Sequence, residues 1–293
     1  MSKKIEEKVS ITAQGTCLMR ATSYYEKDPQ YKSEDFIASM IIPSFLKTIA
    51  KYNILRTILK RVLFKVPGIY EYVISRTKFI DDICNNLVPN IDQVLILGAG
   101  FDSRAIRFRE QLKSAKVFEL DAPVTQKAKI NQFIGAHIDF PPNLSFISID
   151  FNKELLVEKL DEAGFQKKRT CLFLLEGLTY YLNQEAIDHT LHIISDYAAK
   201  DSLLVFDYAS ASAVRQERGN GDSKNEKHYR ALAKAGENPG FMLEGKIQDF
   251  LKKYNFELIE EVNSAQLAER YFKKNDFESA AQPFRIITAR KTV

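Results

Sequence analysis

What this chain has little of narrows it first. Three cysteines occur in 293 residues, Cys17, Cys84 and Cys171. They are odd in number, far apart and without metal-ligand spacing, which argues against a disulfide framework or a structural zinc site and for a reduced, cytoplasmic protein. No charge of one sign dominates. The 42 Lys and Arg are interspersed with 38 Asp and Glu for a net charge of +4, so no nucleic-acid surface is expected. Long apolar runs are missing too: the segment Met40–Leu46 is broken by Pro43 and falls short of the roughly 20 residues of a membrane span. Met1–Lys8 lacks the apolar core of a signal peptide, and there is no internal repeat or low-complexity tract. The expectation is a soluble globular protein, with 45% hydrophobic residues to build a sizeable core.

What is there is a change of rhythm near residue 90. Residues 10–90 read as helical: Thr16–Tyr25, then Phe36–Ile42 behind a Ser33–Asp35 cap, then Ser44–Phe64 opened by Pro43, then a helix from Pro67 to Leu87. Lys and Arg recur on one side of Ser44–Phe64, which reads as a solvated face rather than a membrane contact. Strands and helices then alternate. Strands are expected at Gln93–Leu97, Lys116–Leu120, Leu144–Ile149, Thr170–Leu175, Leu203–Phe206, Phe256–Glu260 and Phe284–Thr288, with Arg215–Lys227 as a flexible loop. This order predicts an α/β fold: a doubly wound, seven-stranded, mostly parallel sheet with helices on both faces.

The first strand runs into Gly98–Ala99–Gly100–Phe101–Asp102–Ser103–Arg104, and helix is expected from Asp102. Strand, glycine turn and helix form a nucleotide-binding corner. A dinucleotide would set its pyrophosphate on that helix N-terminus. Here the third glycine is missing and Asp102 carries negative charge to that place, which disfavours a nicotinamide-dependent oxidoreductase. S-adenosylmethionine, with adenosine, no phosphate and a cationic sulfonium, suits the corner better. The alternative for Asp102 is a helix cap. Further acids close the strands that follow: Asp121, Asp150, Glu176 and Asp207. Asp121 lies about 20 residues past the turn, the spacing for a carboxylate on ribose hydroxyls. Asp150 would accept from an adenine amino group, and Glu176 would face the cationic end.

Four ordered motifs make the chain resemble the leucine carboxyl methyltransferase family, a Rossmann-like branch of S-adenosylmethionine-dependent enzymes. They are Arg76–Thr77–Lys78–Phe79–Ile80–Asp81–Asp82, Leu97–Gly98–Ala99–Gly100–Phe101–Asp102–Ser103–Arg104, Phe118–Glu119–Leu120–Asp121–Ala122–Pro123 and Leu175–Glu176–Gly177–Leu178–Thr179–Tyr180–Tyr181–Leu182. Lys78 is the one departure in the first. Gly236–Phe241 resembles a segment on the substrate side. The resemblance implies that Arg76 clamps the methionine carboxylate, with Arg20 as a second contact. A surface ion pair of Arg76 with Glu71 or Asp81 is the alternative. It further implies backbone contacts at Gly98, Ala99 and Gly100, flanked by Asp102 and Arg104. Asp121 falls on the ribose, Asp150 and Phe151 on adenine, and Glu176 on the amino group. The product would be S-adenosylhomocysteine.

Residues 1–90 are expected to form a helical lid and 91–293 the core. With no added module for gripping a protein, the expected acceptor is a small molecule methylated on a carboxyl or hydroxyl oxygen. Methylation of a protein C-terminal carboxyl and non-catalytic cofactor binding are the alternatives. A hydroxyl acceptor would want a general base; Tyr180, Tyr181 and His228 are the candidates, while His137, His189 and His192 read as structural. The sequence does not set the oligomeric state.

Overall fold

An unbroken apolar run needs cover on both faces, and Gln93–Leu97 (β1) has it. Leu95 and Leu97 pack into one core, Val94 and Ile96 into another on the opposite face. The computed structural model describes residues 9–64, 68–86, 91–149, 155–219, 240–272 and 283–293. Around β1 it places Lys116–Asp121 (β2), Leu144–Ser148 (β3), Cys171–Leu175 (β4), Leu203–Ser210 (β5), Met242–Leu243 (β6), Phe256–Asn263 (β7) and Phe284–Lys291 (β8). The order is β3-β2-β1-β4-β5-β8-β7, with the two-residue β6 paired to the end of β5. Strands β1 to β5 run parallel, while β8 is antiparallel to both β5 and β7. The chain leaves β1 toward β2 and β3 and returns on its other side at β4. Ligands of such sheets bind at that reversal, beyond the carboxyl ends of β1 and β4.

The seven expected strands are present. The eighth is too short to leave a hydrophobic pattern in the sequence. Strand β5 also continues past Phe206, because β8 pairs with it as far as Ala209, so Asp207 lies within the strand rather than after it. The stretch Arg215–Gly219, expected as part of a loop, is the end of a helix, Ala211–Gly219; residues 220–227 are outside the described set.

Among the described residues, five helices precede the sheet: Ile11–Tyr24 (α1), Phe36–Ile41 (α2), Ser44–Lys51 (α3), Asn53–Leu63 (α4) and Ile69–Asn86 (α5). The expected single helix over 44–64 is a hairpin. Tyr52 is extended (φ −92°, ψ 123°), and the Arg56 guanidinium donates to the Ala50 carbonyl at 3.0 Å and to Asn53 Oδ1 at 2.8 Å, securing the break. Helices α1 and α2 pack through Cys17, Ala21, Ile37 and Ala38 against Phe101 and Ile106 beside the glycine turn and Phe133 of the helix Pro123–Gly135. Cys17, Cys84 and Cys171 are free and buried, and burial pushes each thiol up to about 12.

Asp35 ties these helices to the glycine turn. It caps α2 by accepting from the Ala38 N–H at 2.9 Å, and it also accepts from Arg20 Nε at 2.8 Å and Ser103 Oγ at 2.7 Å. Burial alone would raise this carboxyl, but the charges of Arg107 and Arg20 outweigh it and hold Asp35 at about 2. In the unfolded chain it protonates near 3.8. Between those values the unfolded state binds more protons, so its stabilisation is whole above about pH 4 and fades as pH falls toward 2. Asp35→Asn should therefore cost about 2 kcal/mol at pH 7 and leave a shallower decline in stability below pH 4. Urea unfolding of both proteins across that range checks this; parallel pH profiles would contradict it.

Candidate functional site

The glycine turn after β1 carries Gly98 with φ +68°, a left-handed conformation that disfavours a side chain. A β-carbon there would meet Leu178 Cδ1 at 2.9 Å, and one at Gly100 would stand 3.0 Å from Ala13 Cβ of α1. Leu178 and α1 thus form walls over the turn. The expected helix from Asp102 is reduced to Arg104–Arg107 (α6). Asp102 stays outside it and accepts the Arg104 N–H at 2.7 Å, so the capping alternative describes one of its two contacts. The other is an ion pair with Arg104 Nη1 at 2.5 Å. Asp121, at the end of β2, accepts from the N–H of Gly100 and from that of Ala122 at 2.7 Å. Burial raises its carboxyl, and those two amides offset part of the rise.

Between β1 and β4, guanidinium groups and carboxylates alternate. Arg76 of α5 is buried rather than on the surface; it donates through Nε to Glu176 Oε1 at 3.0 Å and through Nη1 to Asp207 Oδ2. Arg104 donates to Glu176 Oε2 at 2.6 Å and to Asp81 Oδ1 at 2.8 Å. Arg107 then grips both oxygens of Asp81 at 2.7 and 2.9 Å. Glu176 therefore lies between two guanidinium groups. Burial would raise its carboxyl, but Arg104, Arg76 and Arg20 outweigh that and hold it well below the usual carboxylate range. Arg20 lies at the edge of the set, paired with Asp35 and donating to the Phe101 carbonyl at 2.7 Å.

A cluster of hydroxyls closes the other end. Asp207, fully buried, accepts from Tyr180 Oη at 3.0 Å and Tyr72 Oη at 3.3 Å through Oδ2, and from the Gly177 N–H at 2.7 Å through Oδ1. Burial and the charge of Asp207 push both phenols well above their usual range, so each holds its proton at neutral pH. Tyr181 ends the short 3-10 turn Thr179–Tyr181 and is half-buried. The Gly240 N–H donates to the Tyr180 carbonyl at 3.0 Å, and the Phe241 N–H to that of Leu182 at 2.5 Å. The last two residues of the Gly236–Phe241 segment are thereby fixed over the Tyr180 turn.

Of the residues singled out in the sequence, Arg76, Gly98, Ala99, Gly100, Asp102, Arg104, Asp121, Glu176 and Tyr180 come together at this reversal. Asp150, Phe151 and His228 lie outside the described residues. Sequence reasoning gave no role to Tyr72, and it placed Asp35 only in a helix cap, which the structure bears out, and Asp81 only as an alternative partner of Arg76. Tyr72 carried a signal: it precedes Arg76 by one helical turn and so shares its face. Asp81 stood inside a quoted motif.

A model of the leucine carboxyl methyltransferase family matches residues 13–195. The chain belongs to that family. The match spans most of α1, the arginines Arg76, Arg104 and Arg107, the glycine turn and the Glu176–Tyr181 segment. A Bacillus subtilis relative, YktD, provisionally named an S-adenosyl-L-methionine-dependent methyltransferase, is 30% identical over 167 residues, covering 57% of this chain and 54% of YktD. A similarly named Mycolicibacterium vanbaalenii protein is 31% identical over 146 residues, covering 50% of this chain and 47% of the relative. The chain thus spans about half the length of the curated relatives it matches. In fold, a Thermobifida fusca structure described as that of a provisional methyltransferase aligns with TM-score 0.60 and 17% identity, over 98% of this chain and 96% of that one. A DUF574 family protein from Streptomyces avermitilis aligns with TM-score 0.59 and 14% identity, over 98% of each.

Removing one member of a buried ion network strands the others. Arg104→Leu would leave Asp81, Asp102 and Glu176 with one cation fewer. It should cost about 3–5 kcal/mol in urea unfolding, and a loss under about 1 kcal/mol would show that the network does not hold the turn.

Proposed function

We propose that this chain is an S-adenosylmethionine-dependent methyltransferase acting on an oxygen of a small molecule. The observation that carries the cofactor is the pairing of signs between β1 and β4. An amino-acid group needs a cation for its carboxylate and an anion for its ammonium, and Arg76 offers the first beside Glu176, which offers the second. The donor set fits this cofactor and fits a dinucleotide poorly. The Gly100 and Arg104 amides, on which a pyrophosphate would rest, are already taken by the carboxylates of Asp121 and Asp102.

When bound, S-adenosylmethionine supplies an electrophilic methyl group, transferred in line to the acceptor oxygen with S-adenosylhomocysteine as product. Arg76, Glu176 and Asp121 orient its two ends, with Asp150 and Phe151 assigned to adenine. Alignment of this kind lowers the barrier without a charged catalyst. Tyr180 keeps its proton and donates a hydrogen bond to Asp207, so it does not serve as a base. Leu178, α1 and the Gly240–Phe241 segment exclude water. Their enclosure of the turn favours a small acceptor over a protein chain end, and it gives residues 1–90 the role of a lid.

Calorimetric titration of the purified protein tests the cofactor. S-adenosylmethionine should bind saturably and NAD and NADP should not, with affinity reduced at least about tenfold in Arg76→Ala and in Asp121→Ala. Binding of a nicotinamide nucleotide, or affinity unaffected by both substitutions, would contradict the assignment.

A further inference from the structure

We propose that the α3–α4 hairpin docks the protein on anionic lipid membranes. Between Asp35 and Glu71 the chain has no acidic residue, yet it has Lys47, Lys51, Arg56, Lys60, Arg61 and Lys65. A basic amphipathic helix would ordinarily turn its apolar side to the core. Here the inner side is narrow, made by Ala50 and Leu59 with Arg56, which is buried and paired to Glu26 at 3.1 Å.

The apolar stripe of α4 faces outward instead. Ile54, Ile58 and Val62 follow at i, i+4 and i+8 on one side, and they are 75%, 51% and 55% exposed. Leu55 and Leu63 flank them, and Phe45 of α3 and Tyr52 at the join are 64% and 61% exposed. Isolated exposed apolar residues are ordinary, but a contiguous set on one hairpin marks an interaction surface.

Charge decides the occupant. Lys47, Lys51 and Arg61 have no acidic partner among the described residues. A second copy of this chain, meeting the same face about a two-fold axis, would set those cations against their own equivalents. An anionic bilayer satisfies both features. The apolar stripe enters the boundary between headgroups and acyl chains, and the cations meet lipid phosphates. No helix among the described residues is long and apolar enough to cross a membrane, so the hairpin would lie in the interface plane.

Co-sedimentation of the full chain with vesicles tests this. Vesicles of phosphatidylcholine alone would be compared with vesicles of equal parts phosphatidylcholine and phosphatidylglycerol. Partition onto the anionic vesicles should be at least about tenfold stronger and should weaken at high salt. The double substitution Ile54→Ser with Ile58→Ser should lower it about tenfold or more without changing the circular dichroism spectrum. Lys51→Glu with Arg61→Glu should abolish the preference for phosphatidylglycerol. Equal partition onto both vesicles, or partition indifferent to the serine pair, would overturn the proposal. So would a dimer in sedimentation velocity that the serine pair dissociates while no vesicle binds; that result would assign the face to a second copy.

Discussion

The carboxyl ends of β1 and β4 depend on one interaction, the sharing of Glu176 between the guanidinium groups of Arg76 and Arg104. Each arginine reaches it from a different element, α5 and α6, and each carries a second acid with it, Asp207 in β5 and Asp81 in α5. A charge left alone at this depth would be expensive, and neutralisation within the ladder removes that cost. The ladder also fixes α5 across the sheet, and α5 in turn presents Tyr72 to Asp207. The site is therefore assembled by the same contacts that hold the helices on the sheet.

This arrangement has a chemical consequence. Guanidinium groups keep Glu176 ionised, while burial and Asp207 keep the phenols of Tyr72 and Tyr180 protonated. A site built in this way offers fixed charges and phenols held by Asp207, not a titrating base. That suits a reaction whose electrophile arrives already activated and whose main demands are alignment and dryness. The walls serve the same end, since Leu178 and Ala13 lie directly over the turn.

Most of the sheet could be read from the sequence because buried parallel strands are apolar on both faces, as Val94–Leu97 and Leu172–Leu175 are. The glycine turn and its acids were legible for the same reason, local chemistry at a strand end. What escaped was set by distant pairing. Strand β5 runs beyond Phe206 only because β8 lies beside it, and β6 exists only as a bridge to Ala209 and Ser210. The break at Tyr52 depends on Arg56 folding back to Ala50. In α4, apolar spacing identifies a stripe but not which way the stripe faces, and Ile54, Ile58 and Val62 face outward. Arg76 was expected to meet a ligand carboxylate, and nothing in its neighbours in sequence indicated that Asp207, far along the chain, would meet it as well.

A crystal structure of the protein with S-adenosylhomocysteine would test the central claim most directly. The account predicts the amino-acid carboxylate within hydrogen-bond distance of Arg76, the ammonium facing Glu176 and the ribose hydroxyls on Asp121, between the ends of β1 and β4. The product bound elsewhere on the sheet, or its carboxylate held by other residues while the ladder stays closed, would contradict it.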